Sequence, residues 1–434
     1  MRLSHLGILG AYALCFGFAC GETGAGRTWN LHLQSTGILQ THPGFNAAYS
    51  GPNSLDASPE THHTLSFDVY AGKRLWPGAE FHLDGLAWQG FGLSNAVGVD
   101  GFPNGEAFRL GTNRPDAIVA RAFLRQTIEL GSEQEDIPEG PLSMGGKVAV
   151  SRLTLTAGKF SAKDVFDNNA YANDPRTQFM NWALMANQGW DYPADSLGFE
   201  TGMAAELNHE DWAVRYGLFQ MPRFSNAMPV DPHLLEAWGM VLEVERRYKV
   251  RARAGAVRLL VYDNHARMGS YQAALAAAGR PADVVATRDY RAKRGIGLNL
   301  EQQITDDVGL FSRLGWGDGR NEAWCFSDVD RDISFGASVK GSRWHRRNDM
   351  FGLAAVLNGI SGVHQAYLAA GGTGILAGDG ALRYGTERIF ETYYDARIAR
   401  GVNAAIDYQY VANPAFNRAR GPVSVFGARI HLEY

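Results

Sequence analysis

The stretch Gly158-Lys159-Phe160-Ser161-Ala162-Lys163-Asp164-Val165-Phe166-Asp167-Asn168-Asn169, running on through Trp182 to Asp195, gathers carboxylates, amides, cations and aromatic rings between two segments of alternating hydropathy. Carboxylates and amides exchange hydrogen bonds with a polar solute, and rings offer it flat apolar faces. The stretch also exceeds the ~12–15 residues of an ordinary connection, which marks a working loop. Other chemistry-bearing groups are weaker. Asp263-Asn264-His265 with Ser270 nearby has the residue types of a serine hydrolase, but nothing in the spacing fixes a nucleophile against a base, so an outer-loop tip is expected there. Asp328, Asp330 and Asp332 alternate as calcium ligands can, yet a solvated acidic strand start is the simpler expectation. His62-His63 lacks a third ligand, and Gly371-Gly372-Thr373-Gly374 lacks the lysine of a phosphate cradle. No metal, cofactor or catalytic residue is expected.

The segments that must hold the loop repeat with period two, the signature of strands. In Val119 to Leu130, Arg121, Phe123, Arg125, Thr127 and Glu129 fall on one face and Ala120, Ala122, Leu124, Ile128 and Leu130 on the other. The same segregation recurs in Thr64–Lys73, Arg152–Phe160, Gly295–Ile304 and the segment holding Phe390, Tyr394 and Ile398. Sixteen segments begin near residues 29, 64, 79, 118, 151, 196, 212, 236, 254, 295, 308, 332, 349, 387, 401 and 423. Short connections alternate with long ones: 75–78, 208–211, 305–307 and 399–400 against 89–117, 161–195, 265–294 and 359–387. An even strand number and this alternation predict an all-β, sixteen-stranded antiparallel transmembrane β-barrel with long outer loops, the 161–195 stretch being inserted as a constriction loop. One junction breaks the rule, because Gly131 to Val150 is long where a short turn is due; a polar extension is expected there. A soluble sandwich would show the same parity. Four features decide for the barrel: the apolar leader, the alternation of connections, Trp212, Trp238, Tyr408 and Tyr410 as interfacial aromatics, and the last strand Val423–Tyr434.

Composition agrees. Hydrophobic residues make up 45% of the chain and charged residues 20%, with a formal net charge of -4, so no concentrated basic surface for nucleic acid is implied. The apolar run from Leu6 to Ala19 after Arg2 reads as a signal peptide over residues 1–25, cleaved between 20 and 25, which leaves 26–434 as the barrel. Cys15 and Cys20 fall in that leader, and Cys325 alone cannot build a disulfide framework.

Several motifs together resemble the carbohydrate-selective porins of the OprB type. They are Gly158-Lys159-Phe160, Asp164-Val165-Phe166-Asp167-Asn168-Asn169, Tyr171-Ala172-Asn173-Asp174-Pro175, Phe179-Met180-Asn181-Trp182, Asn299-Leu300-Glu301-Gln302-Gln303, Asn358-Gly359-Ile360-Ser361, Glu391-Thr392-Tyr393-Tyr394 and Asp407-Tyr408-Gln409-Tyr410-Val411-Ala412-Asn413-Pro414. The resemblance runs from about Thr28 to Tyr434. It implies an integral protein of the bacterial outer membrane through which sugars diffuse passively. Its partners would be sugars, outer-membrane lipid and, through the C-terminal strand, the barrel-assembly machinery; a homo-trimer is one assembly open to it. Sugar recognition asks for weak, repeated polar contacts beside apolar surfaces. By strand parity Arg121, Arg125, Glu200, Arg215, Arg258, Glu301 and Arg313 should line the lumen, with Arg114 at its opening. Asp164, Asp167, Asn168, Arg176 and Trp182 should contribute from the loop. A non-selective porin, a barrel hydrolase or an adhesin are the alternatives.

Overall fold

The structure, a computed structural model, describes residues 28–107, 111–277 and 279–434. The expected leader lies outside them. Alternation becomes geometry at once: in β2, Ser66, Asp68 and Tyr70 are buried and point inward, while Leu65, Phe67 and Val69 between them face outward. Among the described residues there are eighteen strands, many with this alternation. They are β1 (Trp29–His42), β2 (Glu60–Trp76), β3 (Ala79–Gly90), β4 (Thr112–Glu129), β5 (Gln134–Gly140), β6 (Ser143–Ala149), β7 (Arg152–Phe160), β8 (Glu200–His209), β9 (Trp212–Gln220), β10 (Trp238–Val250), β11 (Arg253–Ala266), β12 (Arg291–Gln303), β13 (Val308–Gly317), β14 (Arg331–Gly341), β15 (Arg346–Gly359), β16 (Glu387–Ala399), β17 (Val402–Ala412) and β18 (Val423–Glu433).

Sixteen of them close one antiparallel barrel in chain order, and only β5 and β6 stand apart as a two-stranded sheet. Closure is made by β18 on β1, with Gly37 opposite Ile430 and Leu33 exchanging both backbone hydrogen bonds with Tyr434 at 2.9 Å. The outward face is apolar: Leu155, Leu259, Ile296, Phe335, Ile406, Phe426 and Ile430 are all exposed. Only lipid satisfies such a face on a closed sheet. Trp76, Trp212 and Trp344 mark the rim with short turns, and Trp238 and Trp316 the opposite rim, as interfacial girdles require. Of the other two expected girdle residues, Tyr410 sits near the long-loop rim, but Tyr408 lies in mid-strand against Phe426.

Two local departures from strict parity matter. The β3–β4 register shifts between Asp84 and Gly85, so β4 carries an extra residue at Ala120. The bulge turns Ala120 inward against Leu86, Trp88 and Phe199, correcting its expected place on the lipid face, and still leaves Arg121 pointing into the lumen. The second departure is 131–150. Instead of a polar extension it forms the β5–β6 hairpin, which folds back across the inner rim. Asn30 donates to Ser143 O (3.1 Å), Arg74 to Met144 O (3.0 Å) and Arg125 to Leu142 O (2.6 Å).

The lipid-facing wall gives the first prediction. Ile406 lies mid-strand on β17 and is 69% exposed. Ile406→Arg should cost ~2–4 kcal/mol, the depth-dependent penalty for arginine at a bilayer midplane. Urea titration in lipid vesicles measures it, and a loss below ~1 kcal/mol would mean that this face does not meet hydrocarbon.

Candidate functional site

Loop 161–199 lies inside the barrel, and its backbone explains how. It is nearly devoid of regular structure, the exceptions being single turns at Ala162–Asp164 and Trp182–Met185. Its N–H groups must therefore find acceptors elsewhere. Carboxylates on the wall supply them. Glu243 of β10 accepts from Asp167 N (2.8 Å), Glu301 of β12 from Ala170 N (2.7 Å), and Asp332 of β14 from Gly189 N (2.7 Å). Glu391 of β16 accepts from both Met180 N (2.6 Å) and Asn181 N (3.0 Å). The loop's carbonyls are met by wall cations: Arg429 donates to Pro175 O and Gln178 O at 2.7 Å, and Arg313 to Leu184 O at 2.9 Å. A buried N–H or C=O left without a partner costs free energy comparable to a lost hydrogen bond, so these contacts fasten the loop on most sides.

Space remains on the β1–β4 side. An outer cavity of about 430 Å³ has two unlike banks. One is aromatic: Trp182 stacks on Phe102 (5.0 Å, 14° between planes) and meets Phe326 at 5.0 Å, and Tyr192 meets Phe326 at 4.7 Å. The other is polar and ion-paired. Arg121 bridges Asp84 and Asp164, both at 2.7 Å, with its guanidinium 4.8 Å from the Phe199 ring centre. Arg176 bridges Asp68 (2.8 Å) and Glu106 (3.0 Å) and donates to Gln34 (3.2 Å) and to the Tyr70 hydroxyl (3.3 Å). Arg121, Arg176, Asp164 and Glu106 each keep 11–14% of their side chains accessible, enough to present an edge to the cavity. Toward the short-turn rim lies an inner cavity of about 220 Å³ lined by Glu80, Arg125, Arg152, Asn168, Glu206 and Arg215. Asp164 borders both.

The outer loops close over the remaining side. Tyr271 of helix Tyr271–Ala276, Tyr367 and Leu368 of helix Gly362–Ala369, Val329, Ile360 and Phe416 form one buried cluster. Asp100 donates from its backbone N–H to Glu387 (3.0 Å) and its carboxylate accepts from Asp328 N (2.9 Å). Burial first, then the nearby Asp328 and Glu387, raise the Asp100 carboxyl well above the usual range.

Against known proteins, the family model described as "Carbohydrate-selective porin, OprB family" matches residues 53–434. The chain belongs to that family. It is thus an integral protein of the bacterial outer membrane and a channel for carbohydrates; family and fold are those of channels, not enzymes. Among solved structures it is similar to Pseudomonas putida OprB in its high-pH form, at 16% identity over 94% of each chain with a TM-score of 0.71. It is also similar to the outer membrane channel DcaP of Acinetobacter baumannii, at 8% identity over 94% of this chain and 97% of that one, TM-score 0.51. No curated protein sequence matches it.

Within this OprB-family lumen the residues singled out from sequence separate into groups. Arg121, Asp164, Arg176 and Trp182 border the outer cavity, and Arg125, Asn168 and Arg215 the inner one. Asp167, Arg258, Glu301 and Arg313 are fasteners. Asp167 accepts from Asn187 N (2.8 Å), Asn299 (2.6 Å) and Arg313 (3.1 Å), and Arg313 has no accessible surface. Arg258 pairs with Glu245 (2.7 Å) and Glu301 (3.2 Å) behind the loop. Glu200 is buried at the outer end of β8 beside its own chain, accepting from Thr201 N at 2.7 Å. Arg114 stands exposed on the outer end of β4 and borders neither cavity. Asp328, Asp330 and Asp332 are not a solvated strand start. All three are buried, Asp328 accepting from Ile375, Leu376 and Ala377 N–H, Asp330 from Ser361 N (2.8 Å), Asp332 from Gly189 N. Ser270 caps its helix by accepting from Ala273 N, while His265 stacks on Trp238 at 4.1 Å and pairs with Asp263. Residues not foreseen include Glu106, Phe102, Tyr192 and Phe326. They come from three separate loops, and no local spacing connects them.

The fastening predicts the effect of its removal. Glu391→Ala leaves the buried N–H groups of Met180 and Asn181 without their acceptor, at ~1–3 kcal/mol each. Limited proteolysis should then cut near 176–185 while heat-dependent gel mobility still reports a folded barrel. An uncut loop would mean that Glu391 does not hold it.

Proposed function

We propose that carbohydrates cross by passive diffusion through the two cavities, with the aromatic bank against their C–H faces and Arg121, Arg176, Asp164 and Glu106 exchanging hydrogen bonds with their hydroxyls. The observation that supports this most is the facing of the two banks. A sugar is apolar on its ring faces and polar around its edge, and the outer cavity offers both chemistries at once. The charges are also paired: Arg121 with two carboxylates and Arg176 with two more. A paired lumen gives many donors and acceptors with little net field, which suits a neutral solute and permits release. Nothing in this path calls for a covalent step. Strand β18, with its alternating apolar face, is the element we assign to recognition by the barrel-assembly machinery.

Removing one polar partner while leaving its arginine paired tests the reading. In Glu106→Gln, Arg176 keeps Asp68; in Asp164→Asn, Arg121 keeps Asp84. Losing a hydrogen bond to a charged group, ~1.5–3 kcal/mol, should weaken sugar-induced block of single-channel current by about tenfold or more. Reversal potentials should shift toward anion preference. Block unchanged in both variants, with normal conductance, would take these residues out of the path and leave a general porin.

A further inference from the structure

The β5–β6 hairpin is unlike every other connection at the short-turn rim. Between β8 and β9, or β10 and β11, two residues suffice; between β4 and β7 the chain spends 130–151. A hairpin that merely hung in water would leave its carbonyls to solvent. Here they are taken up by side chains of the barrel wall from three strands: Asn30 of β1, Arg74 of β2 and Arg125 of β4. Arg152 of β7 adds an ion pair to Glu135 at 2.6 Å. The tip is thereby drawn inside. Leu142 packs against the aromatic cluster of Phe123, Phe160 and Trp182, and Met144 is 6% exposed.

Its position relative to the cavities is informative. Pro141 and Leu142 line the outer cavity, and Ser143 and Gly145 the inner one. On the opposing side Arg121 lines the outer cavity, Arg125 the inner, and Asp164 both. The boundary between the two spaces therefore runs between the hairpin tip and the Arg121–Asp164–Arg125 group.

We propose that the hairpin tip, residues 141–143, forms a second, inner neck with Asp164 and Arg125, and that this neck sets the largest carbohydrate the channel passes. The constriction is then two-sided, with loop 161–199 entering from the outer rim and the hairpin from the inner one. Arg125 holds the tip through Leu142 O and faces the inner cavity with its remaining donors. A solute leaving the aromatic bank meets the apolar Leu142 side chain and then a ring of charged groups.

The proposal rests on the reading of the lumen as the sugar path, and the unmodified protein separates the two. If the wild type carries no current, the channel reading fails; if it conducts, the hairpin is tested on its own. Two variants do so. In the first, residues 132–150 are replaced by a two-residue turn like that joining β8 to β9. Conductance should rise severalfold, and liposome swelling should extend to longer oligosaccharides that the wild type excludes. The second variant, Leu142→Cys, guards against misassembly of the first. In protein freed of the expected leader, and with it of Cys15 and Cys20, the remaining native Cys325 is buried, so a bulky water-soluble thiol reagent reads the tip alone. Modification should close most of the current, whereas the same reagent on Asp136→Cys, exposed at the hairpin base, should leave it unchanged. An excised channel with wild-type conductance and size limit, or a labelled Leu142→Cys channel with undiminished current, would overturn the inner neck.

Discussion

Everything in this lumen depends on the need of an irregular backbone to satisfy its N–H and C=O groups where no strand partner is available. A loop threaded through a barrel cannot borrow the sheet's hydrogen bonds, since the wall has spent them on itself. Apart from its own turns and a few bonds to the neighbouring outer loop, such as Trp182 N to Phe102 O, side chains projecting inward are the remaining source. Glu243, Glu301, Asp332 and Glu391 supply acceptors around the wall, and Arg313 and Arg429 supply donors. Each wall carboxylate is in effect a surrogate strand edge. This accounts for a lumen rich in charge of which many groups, such as Arg313 and Glu391, hold the loop rather than line a cavity.

The same constraint balances the electrostatics. Buried charges are tolerated when paired and hydrogen-bonded, and costly otherwise. The wall groups form chains such as Glu206–Arg215–Glu243 and Glu245–Arg258–Glu301, in which each guanidinium fork serves more than one carboxylate. What is left for a solute is the edge of such chains where the loop does not cover them, on the β1–β4 side. On the proposed reading, selectivity arises as the uncovered remainder of a structural network.

The two ends of the pore are shaped by different physics. At the outer rim, long loops bury apolar side chains against one another, with Tyr271, Tyr367 and Phe416 in one cluster, so that side is closed by hydrophobic packing. At the inner rim the hairpin is held chiefly by cationic and amide donors reaching its carbonyls. The outer closure is large and apolar; the inner one is small and polar.

Parity carried most of the fold. Period-two segregation in residues such as Leu65, Ser66, Phe67 and Asp68 fixes which side chain meets lipid and which the lumen, because a strand offers only two faces. The sixteen strands could be read that way, while the barrel and its inserted loop were legible from the alternation of short and long connections. What parity cannot hold is anything that needs a third dimension. The bulge at Ala120, the hairpin's turn into the barrel and the burial of Asp328 follow from partners far away in the chain. The same holds for the site. Arg121 and Arg176 were legible as polar residues facing inward, but their division from Arg258 and Arg313, which serve only to fasten, depends on where loop 161–199 lies against the wall. Glu106 joins Arg176 across 70 positions of sequence only because β2, β4 and the loop enclose one space. Face is a local property of a strand; exposure to the solute is a property of the closed barrel, and tertiary structure alone decides it.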